Sequence, residues 1–72
     1  MTEAEHFKAW LKSTGRTYSD VALSTNKSVS WIGEVARGHY PYYMAGKMPT
    51  GIWRWAISCG MPDLLPNSPT SR

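Results

Sequence analysis

The feature that most limits the fold of this chain is a repeated helix-start signal. A threonine followed three residues later by an acidic residue occurs at Thr2 and Glu5, and again at Thr17 and Asp20. This spacing is typical of a capping box at a helix N-terminus. A third cap, Ser28, precedes apolar residues at helical spacing. The sequence therefore predicts several short helices, each beginning at a defined residue, and an all-α fold.

Apolar spacing and turn residues indicate where the first two helices end. The first is predicted over residues 3–13, where Phe7, Trp10 and Leu11 share one face, and Gly15 supplies a left-handed exit. The second helix is short. It ends at Asn26, because asparagine tolerates positive φ better than most residues and can redirect the chain sharply.

The third helix is predicted to end at Gly38, and "TGIWRWAISCG" predicts a last helix that is nearly surrounded by protein. The residues expected to point inward on these two helices are Ile32, Val35, Ala36, Ile52, Ala56 and Cys59. Together the segments predict one compact domain, residues 1–65, built as a bundle of four to five short helices. The Pro- and Ser-rich residues 66–72 are expected to form a disordered tail.

Composition excludes several classes of protein. The 72 residues suit one domain, and the single Cys59 cannot form an internal disulfide. No apolar run approaches the roughly 20 residues that span a bilayer, so a soluble, cytoplasmic protein is expected. His6 and His39 lie far apart, and no Cys/His cluster has zinc-ligand spacing. We therefore expect neither an enzyme nor a bound cofactor or metal.

The free side of the third helix indicates a possible partner. The formal charge of +3 permits a polyanion without requiring one. Ser30, Gly33 and Glu34 fall opposite the apolar face, so the predicted helix presents small polar residues to its surroundings. A helix can lie in the DNA major groove when it follows another short helix after a tight turn and presents small polar residues on its free face.

The stretch "DVALSTNKSVSWIGEVARG" resembles the helix-turn-helix of the Xre or Cro-type family of phage and bacterial regulators, which have a lambda-repressor-like DNA-binding domain. The resemblance is ungapped through the motif and extends over roughly residues 7–65, where "WAISCGMPDLL" is similar to the last core helix of the family. The positions that carry it are Val21, Ala22, Asn26, Ser28, Ile32, Val35, Arg37 and Gly38. Lys27 and Thr25 depart from the family, which has apolar residues at those two positions.

The resemblance implies a set of DNA-contacting residues. Base readout is expected from Ser28, Val29, Ser30, Gly33 and Glu34. Contacts to the DNA backbone are expected from Tyr18, Lys27, Trp31, Arg37, Tyr42, Tyr43 and Lys47. Glu34 can only accept hydrogen bonds, which suits the cytosine N4 amine, and Val29 suits a thymine methyl group. The alternative for Glu34 is a solvated surface carboxylate.

The aromatic residues leave alternatives open as well. Trp31 is either a core residue or a residue bordering the DNA, and we expect a mixed role with the ring packed and the N–H outward. The tyrosine-rich loop, residues 39–49, is expected either to contact DNA phosphates or to form a lid on the core. The family also implies a homodimer, at least on DNA. The candidates for its interface are Trp53, Trp55, Met61, Leu64 and Leu65.

The predicted function is sequence-specific binding of double-stranded DNA by a small Cro-like phage or prophage repressor, acting on a pseudo-palindromic operator. An antitoxin or a controller of restriction-modification genes would use the same chemistry. The alternative from another class is a protein-interaction module, an adaptor or antirepressor, that binds a protein through the tyrosine-rich loop and Trp31. A generic antiparallel helix pair in a small bundle is the simplest structural alternative.

Overall fold

A computed structural model describes residues 2–40 and 46–64 of the chain. Within these ranges the protein is all-α and contains no strand, which confirms the predicted fold class. The helices are α1 (Glu3–Thr14), α2 (Tyr18–Thr25), α3 (Val29–Ala36) and α4 (Thr50–Ser58). None of them is long and apolar enough to cross a membrane. The predictions for Tyr42, Tyr43, Leu65 and the 66–72 tail lie outside the described residues.

The first three helices begin at the predicted hydroxyl caps. The Thr2 hydroxyl accepts a hydrogen bond from the Glu5 amide at 3.1 Å, and the Glu5 carboxylate accepts one from the Thr2 amide at 2.9 Å. Thr17 and Asp20 form the same pair of bonds at 3.1 and 2.9 Å. The Ser28 hydroxyl accepts from the amide three residues later at 3.1 Å. Each cap satisfies backbone donors that the helix itself leaves free.

A tight turn of three residues separates α2 from α3. It starts at Asn26, which has φ 59° and is the one non-glycine residue at positive φ among those described. The Asn26 amide donates back to the Ala22 carbonyl. Because the left-handed conformation reverses the chain at once, only three residues lie between the end of α2 and the start of α3, and α3 packs directly against α2.

The core lies where α3 meets α1 and α2, with α4 closing one side. Its fully buried side chains come from the predicted inward faces, and α3 contributes Ile32 and Val35. The buried apolar residues are Ala4, Phe7, Trp10, Leu11, Val21, Ala22, Ile32, Val35, Ala36, Met48, Ile52, Ala56 and Met61. In the described part of the chain no polar or charged side chain is buried. The stability therefore rests on packing of apolar side chains.

Two predictions about the end of α4 are wrong. Cys59, expected to point inward, is exposed, because α4 ends at Ser58 and Cys59 caps it outside the core. Met61, expected at a dimer interface, is only 3% exposed. Gly60, with φ 108°, turns the chain back, and the Met61 amide then donates to the Ala56 carbonyl at 3.0 Å. Met61 is thus a core residue of the single chain.

Hydrogen bonds join the N-terminus of α1 to residues 46–48, which lead into α4. The Ala4 amide donates to the Gly46 carbonyl at 2.9 Å, and the Met48 amide donates to the Glu3 carboxylate at 2.9 Å. Gly46 has φ 79°, and a Cβ there would lie 2.8 Å from the Thr2 side chain. Only glycine fits this position, because any side chain would meet both a strained backbone and a clash.

Candidate nucleic-acid interface

The outer face of α3 is a single polar stripe. Ser30 and Glu34 are four residues apart, as are Gly33 and Arg37, and all four positions lie opposite the buried Ile32. Such residues lie above one another on the same side of a helix. Arg37 caps the helix with φ −83° and ψ −3°, so its backbone continues the helical path and keeps its side chain on this stripe.

Glu34 contacts Arg37 and His39 in a cluster at the C-terminal end of α3, and Glu34 and Arg37 form an ion pair. The Arg37 Nη2 donates to the Glu34 Oε2 at 2.6 Å, and the His39 Nδ1 lies 3.2 Å from the Glu34 Oε1. The Arg37 hydrogen bond, and then that of His39, hold the pKa of Glu34 below its ordinary value. Both carboxylate oxygens of Glu34 therefore have partners within the protein.

Gly33, which was predicted to take part in base readout, is covered by the side chain of Arg37. The residue is buried, and a Cβ built on it would lie 3.3 Å from Arg37 Nη1. The Arg37 side chain therefore folds back along the helix and lies on Gly33, in the space that a larger residue at position 33 would occupy. The stripe consequently presents Ser30, Glu34 and the guanidinium of Arg37, with Gly33 beneath it.

One flank of the stripe is aromatic and basic. Trp31 is half-buried against the core and meets Tyr40 edge-on, with ring centroids 5.1 Å apart. The Lys27 Nζ lies 5.2 Å from the centroid of the Trp31 ring, within the range of a cation–π contact. The packed ring agrees with the mixed role expected for Trp31. The contact also places a positive charge beside the N-terminus of α3.

The other flank is apolar and exposed. Leu23 is 83% exposed and Val29 is 49% exposed, and both line a shallow cleft of about 360 Å³ together with Ser28. Val29 is among the residues predicted to read bases, whereas Leu23 was not predicted. The signal was present, because Leu23 falls outside the inward positions of α2 that Val21 and Ala22 occupy. An apolar surface therefore adjoins the capped end of α3.

A basic row formed by two lysines of α1 and Arg16, which follows the helix, was also missed. Lys8, Lys12 and Arg16 lie four residues apart and line a cleft of about 330 Å³ that ends at Tyr18, the first residue of α2. The Arg16 guanidinium carbon stands 4.6 Å from the centroid of the Trp10 ring, which fixes one end of the row. The four-residue spacing was visible in the sequence. Tyr18 is half-buried, as a residue at the edge of this cleft would be.

The remaining predicted residues are spread over the domain. Lys47 lies 4.0 Å from Glu3, at the start of α1. Among the interface candidates, Trp53 and Trp55 are half-buried, with ring centroids 6.0 Å from those of His6 and Trp10 respectively. The structure thus brings together the residues of the turn and of α3, and it leaves Lys47 outside that group of contacts.

In residues 2–40 and 46–64, no three His, Cys, Asp or Glu side chains are grouped so that they could hold a metal ion. Comparison with known proteins adds no relative: no family model, no curated protein and no solved structure matches the chain.

Proposed function

We propose that this chain is a sequence-specific regulator that binds double-stranded DNA, with α3 lying in the major groove through its Ser30, Glu34 and Arg37 stripe. The observation that carries the proposal is the exposed polar face of a helix that is capped at Ser28 and set off from α2 by a three-residue turn. A major groove about 12 Å wide admits a helix, and base edges offer hydrogen-bond partners to short polar and arginine side chains.

The distribution of charge supports contact with phosphates. Lys27 lies beside the N-terminus of α3, and Lys8, Lys12 and Arg16 line a cleft that reaches Tyr18, the first residue of α2. These cations would contact phosphates and fix the register of the helix, while the stripe reads bases. The +3 formal charge is enough for this geometry because the cations are grouped.

A Cro-like repressor in the bacterial cytoplasm is the biological role that fits this proposal. Each chain would make few base contacts, so binding as a homodimer to a pseudo-palindromic operator, with half-sites about one helical turn apart, would supply the missing affinity. Trp53, Trp55 and Leu64 keep part of their surface exposed and remain the interface candidates. Occupation of the operator would block polymerase.

A second candidate function rests on the exposed apolar pair. Leu23 and Val29 line one cleft, and the Trp31–Tyr40 pair lies on the other flank of α3. A protein partner that covered these residues would make the domain an adaptor or an antirepressor, since aromatic and apolar anchors dominate such interfaces. The two candidates differ in their dependence on salt, because binding to a polyanion weakens steeply as salt rises.

The deciding experiment is selection from a pool of random-sequence duplexes, followed by titration of the enriched sequence at several salt concentrations. We expect a short inverted repeat to be enriched and bound with a steep negative salt slope. Failure to enrich any sequence, together with salt-independent retention of the pool, would refute the DNA-binding proposal and favour the protein partner.

Single-charge variants test the proposed role of Lys27. Lys27→Ala should weaken binding to all sequences alike and flatten the salt slope by about one unit, because one phosphate contact is lost. Arg54→Ala is the matched control, since it removes the same charge from an exposed position on α4. Equal effects of the two variants would show that Lys27 acts only through the net charge.

A further inference from the structure

We propose that Arg37 reads a guanine base and that Glu34 is the positioning residue that holds its guanidinium over Gly33. The inference rests on the proposed function, because it needs α3 in the major groove. It changes the roles expected from the sequence, in which Arg37 contacted the DNA backbone and Glu34 read a cytosine. The observation behind it is the ion pair of Glu34 and Arg37 on the stripe of α3.

The guanidinium of Arg37 lies at the level of Gly33 along α3. Arg37 is the C-cap residue that follows α3, yet its Nη1 lies over Gly33, one turn nearer the N-terminus. Helical side chains point toward the N-terminus of their helix, so this direction is unstrained. The charged group of Arg37 therefore occupies the level of the stripe between Ser30 and Glu34, in the middle of the face that enters the groove.

The guanidinium of Arg37 keeps hydrogen-bond donors that Glu34 does not engage. A guanidinium carries five N–H groups in a fixed plane, and Glu34 engages Nη2. The Arg37 side chain is 47% exposed, so the rest of the guanidinium is accessible. Guanine offers O6 and N7 as adjacent acceptors in the major groove, and a planar arginine fork matches both at once.

Glu34 acts on Arg37 and does not contact a base itself. Its Oε2 accepts a hydrogen bond from Arg37 at 2.6 Å and its Oε1 lies 3.2 Å from His39 Nδ1, so each oxygen already has one partner within the protein. A carboxylate in this position also opposes binding of Arg37 to phosphate, because it places a negative charge next to the guanidinium. A side chain that is held in one conformation before binding loses less entropy when it pairs with a base. Glu34 thus favours base readout by Arg37.

The test uses the operator obtained by selection, with each guanine replaced in turn by 7-deazaguanine, which lacks the N7 acceptor. The wild-type protein should lose about tenfold in affinity at one guanine of each half-site, within the range of a bidentate contact. Arg37→Ala removes the guanidinium, so it should bind the natural and the modified operator equally.

Two further variants separate positioning from charge. Glu34→Gln removes the ion pair at nearly constant size, and it should reduce the sensitivity to 7-deazaguanine severalfold while leaving affinity for unrelated duplexes equal or higher. Lys27→Ala is the matched control, because it should weaken all binding and keep the full sensitivity. Arg37 and Glu34 are both exposed, so thermal unfolding should show that each variant folds.

Three outcomes would overturn the proposal in distinguishable ways. A selected operator at which no modified guanine matters would remove base readout by Arg37 and leave the DNA-binding function intact. Equal weakening of all sequences by Arg37→Ala would assign Arg37 to a phosphate. Absence of both sequence enrichment and salt-dependent binding would refute the guanine contact together with the function on which it rests.

Discussion

Gly33→Ala is expected to make the protein more stable and less selective. Gly33 lies inside α3 with a helical backbone, and glycine in a helix interior is less favourable than alanine by roughly 0.5–1 kcal/mol. The added Cβ would lie 3.3 Å from Arg37 Nη1, which is the far end of a flexible side chain and can shift by a few tenths of an ångström. The gain in helix propensity should therefore exceed the loss of contact.

The expected size of the effect can be measured by thermal unfolding followed by circular dichroism. For a domain of this size, about 1 kcal/mol shifts the melting temperature by roughly 4–8 °C, so Gly33→Ala should raise it by about 2–8 °C. The shifted guanidinium should bind the operator guanine less well, so selectivity should fall severalfold. Gly51→Ala in α4 is the matched control, because nothing lies within 4 Å of its added Cβ.

Two results would refute this reasoning. A lower melting temperature for Gly33→Ala would mean that the contact between Gly33 and Arg37 contributes more to stability than helix propensity does. Unchanged selectivity, with the melting temperature raised as expected, would mean that Gly33 does not set the position of the guanidinium. In the control, Gly51→Ala should leave selectivity at the wild-type value.

Ile32→Val should lower the free energy of unfolding by about 0.5–1.5 kcal/mol in urea titrations, because Ile32 is fully buried, whereas Val29→Ala should change it by less than about 0.5 kcal/mol. Hydrogen bonds from Thr17 lower the pKa of Asp20, so the ionised Asp20 carboxylate stabilises the fold above its unfolded pKa of about 4, and this stabilisation is lost as the pH falls through the folded pKa. Asp20→Asn should therefore flatten the loss of stability in acid. An unchanged pH profile of stability in this variant would contradict the prediction. Cys59 should react with a thiol reagent in the native protein as fast as in urea, and protection until unfolding would place it in the core.

The beginnings of the helices could be predicted because their causes are local. A cap such as Thr17 and its partner Asp20 are three residues apart, so the sequence contains the whole interaction. The turn at Asn26 depends in the same way on the conformational preference of one residue. The inward faces of α1 and α3 followed from periodicity, since each helix has a core on one side only.

The end of α4 could not be predicted because it depends on tertiary packing. Periodicity placed Cys59 on the inward face, but the helix stops one residue earlier, and Met61 then fills the core after the chain turns at Gly60. An apolar residue after a last helix is equally compatible with a core and with a dimer interface. Only the direction of the chain after the helix separates the two.

The candidate site was predicted at the level of positions and missed at the level of side-chain conformations. Sequence placed Ser30, Gly33 and Glu34 on one face, and the structure keeps them there. The spacing cannot show that Arg37 folds back over Gly33, because a long side chain has several rotamers and the choice depends on its partners. The contact of His39 with Glu34 was missed because His39 follows the end of α3, where helical spacing no longer predicts which side chains meet.

The three hydroxyl caps also bear on how quickly the chain folds. Each cap defines a helix start through a hydrogen bond between residues three positions apart, so these boundaries form without closure of a long loop. Helical domains rich in such local contacts fold in microseconds to milliseconds. A chain that folds this fast exposes apolar side chains such as Phe7 only briefly, which limits aggregation during synthesis and allows unaided refolding after a short heat pulse.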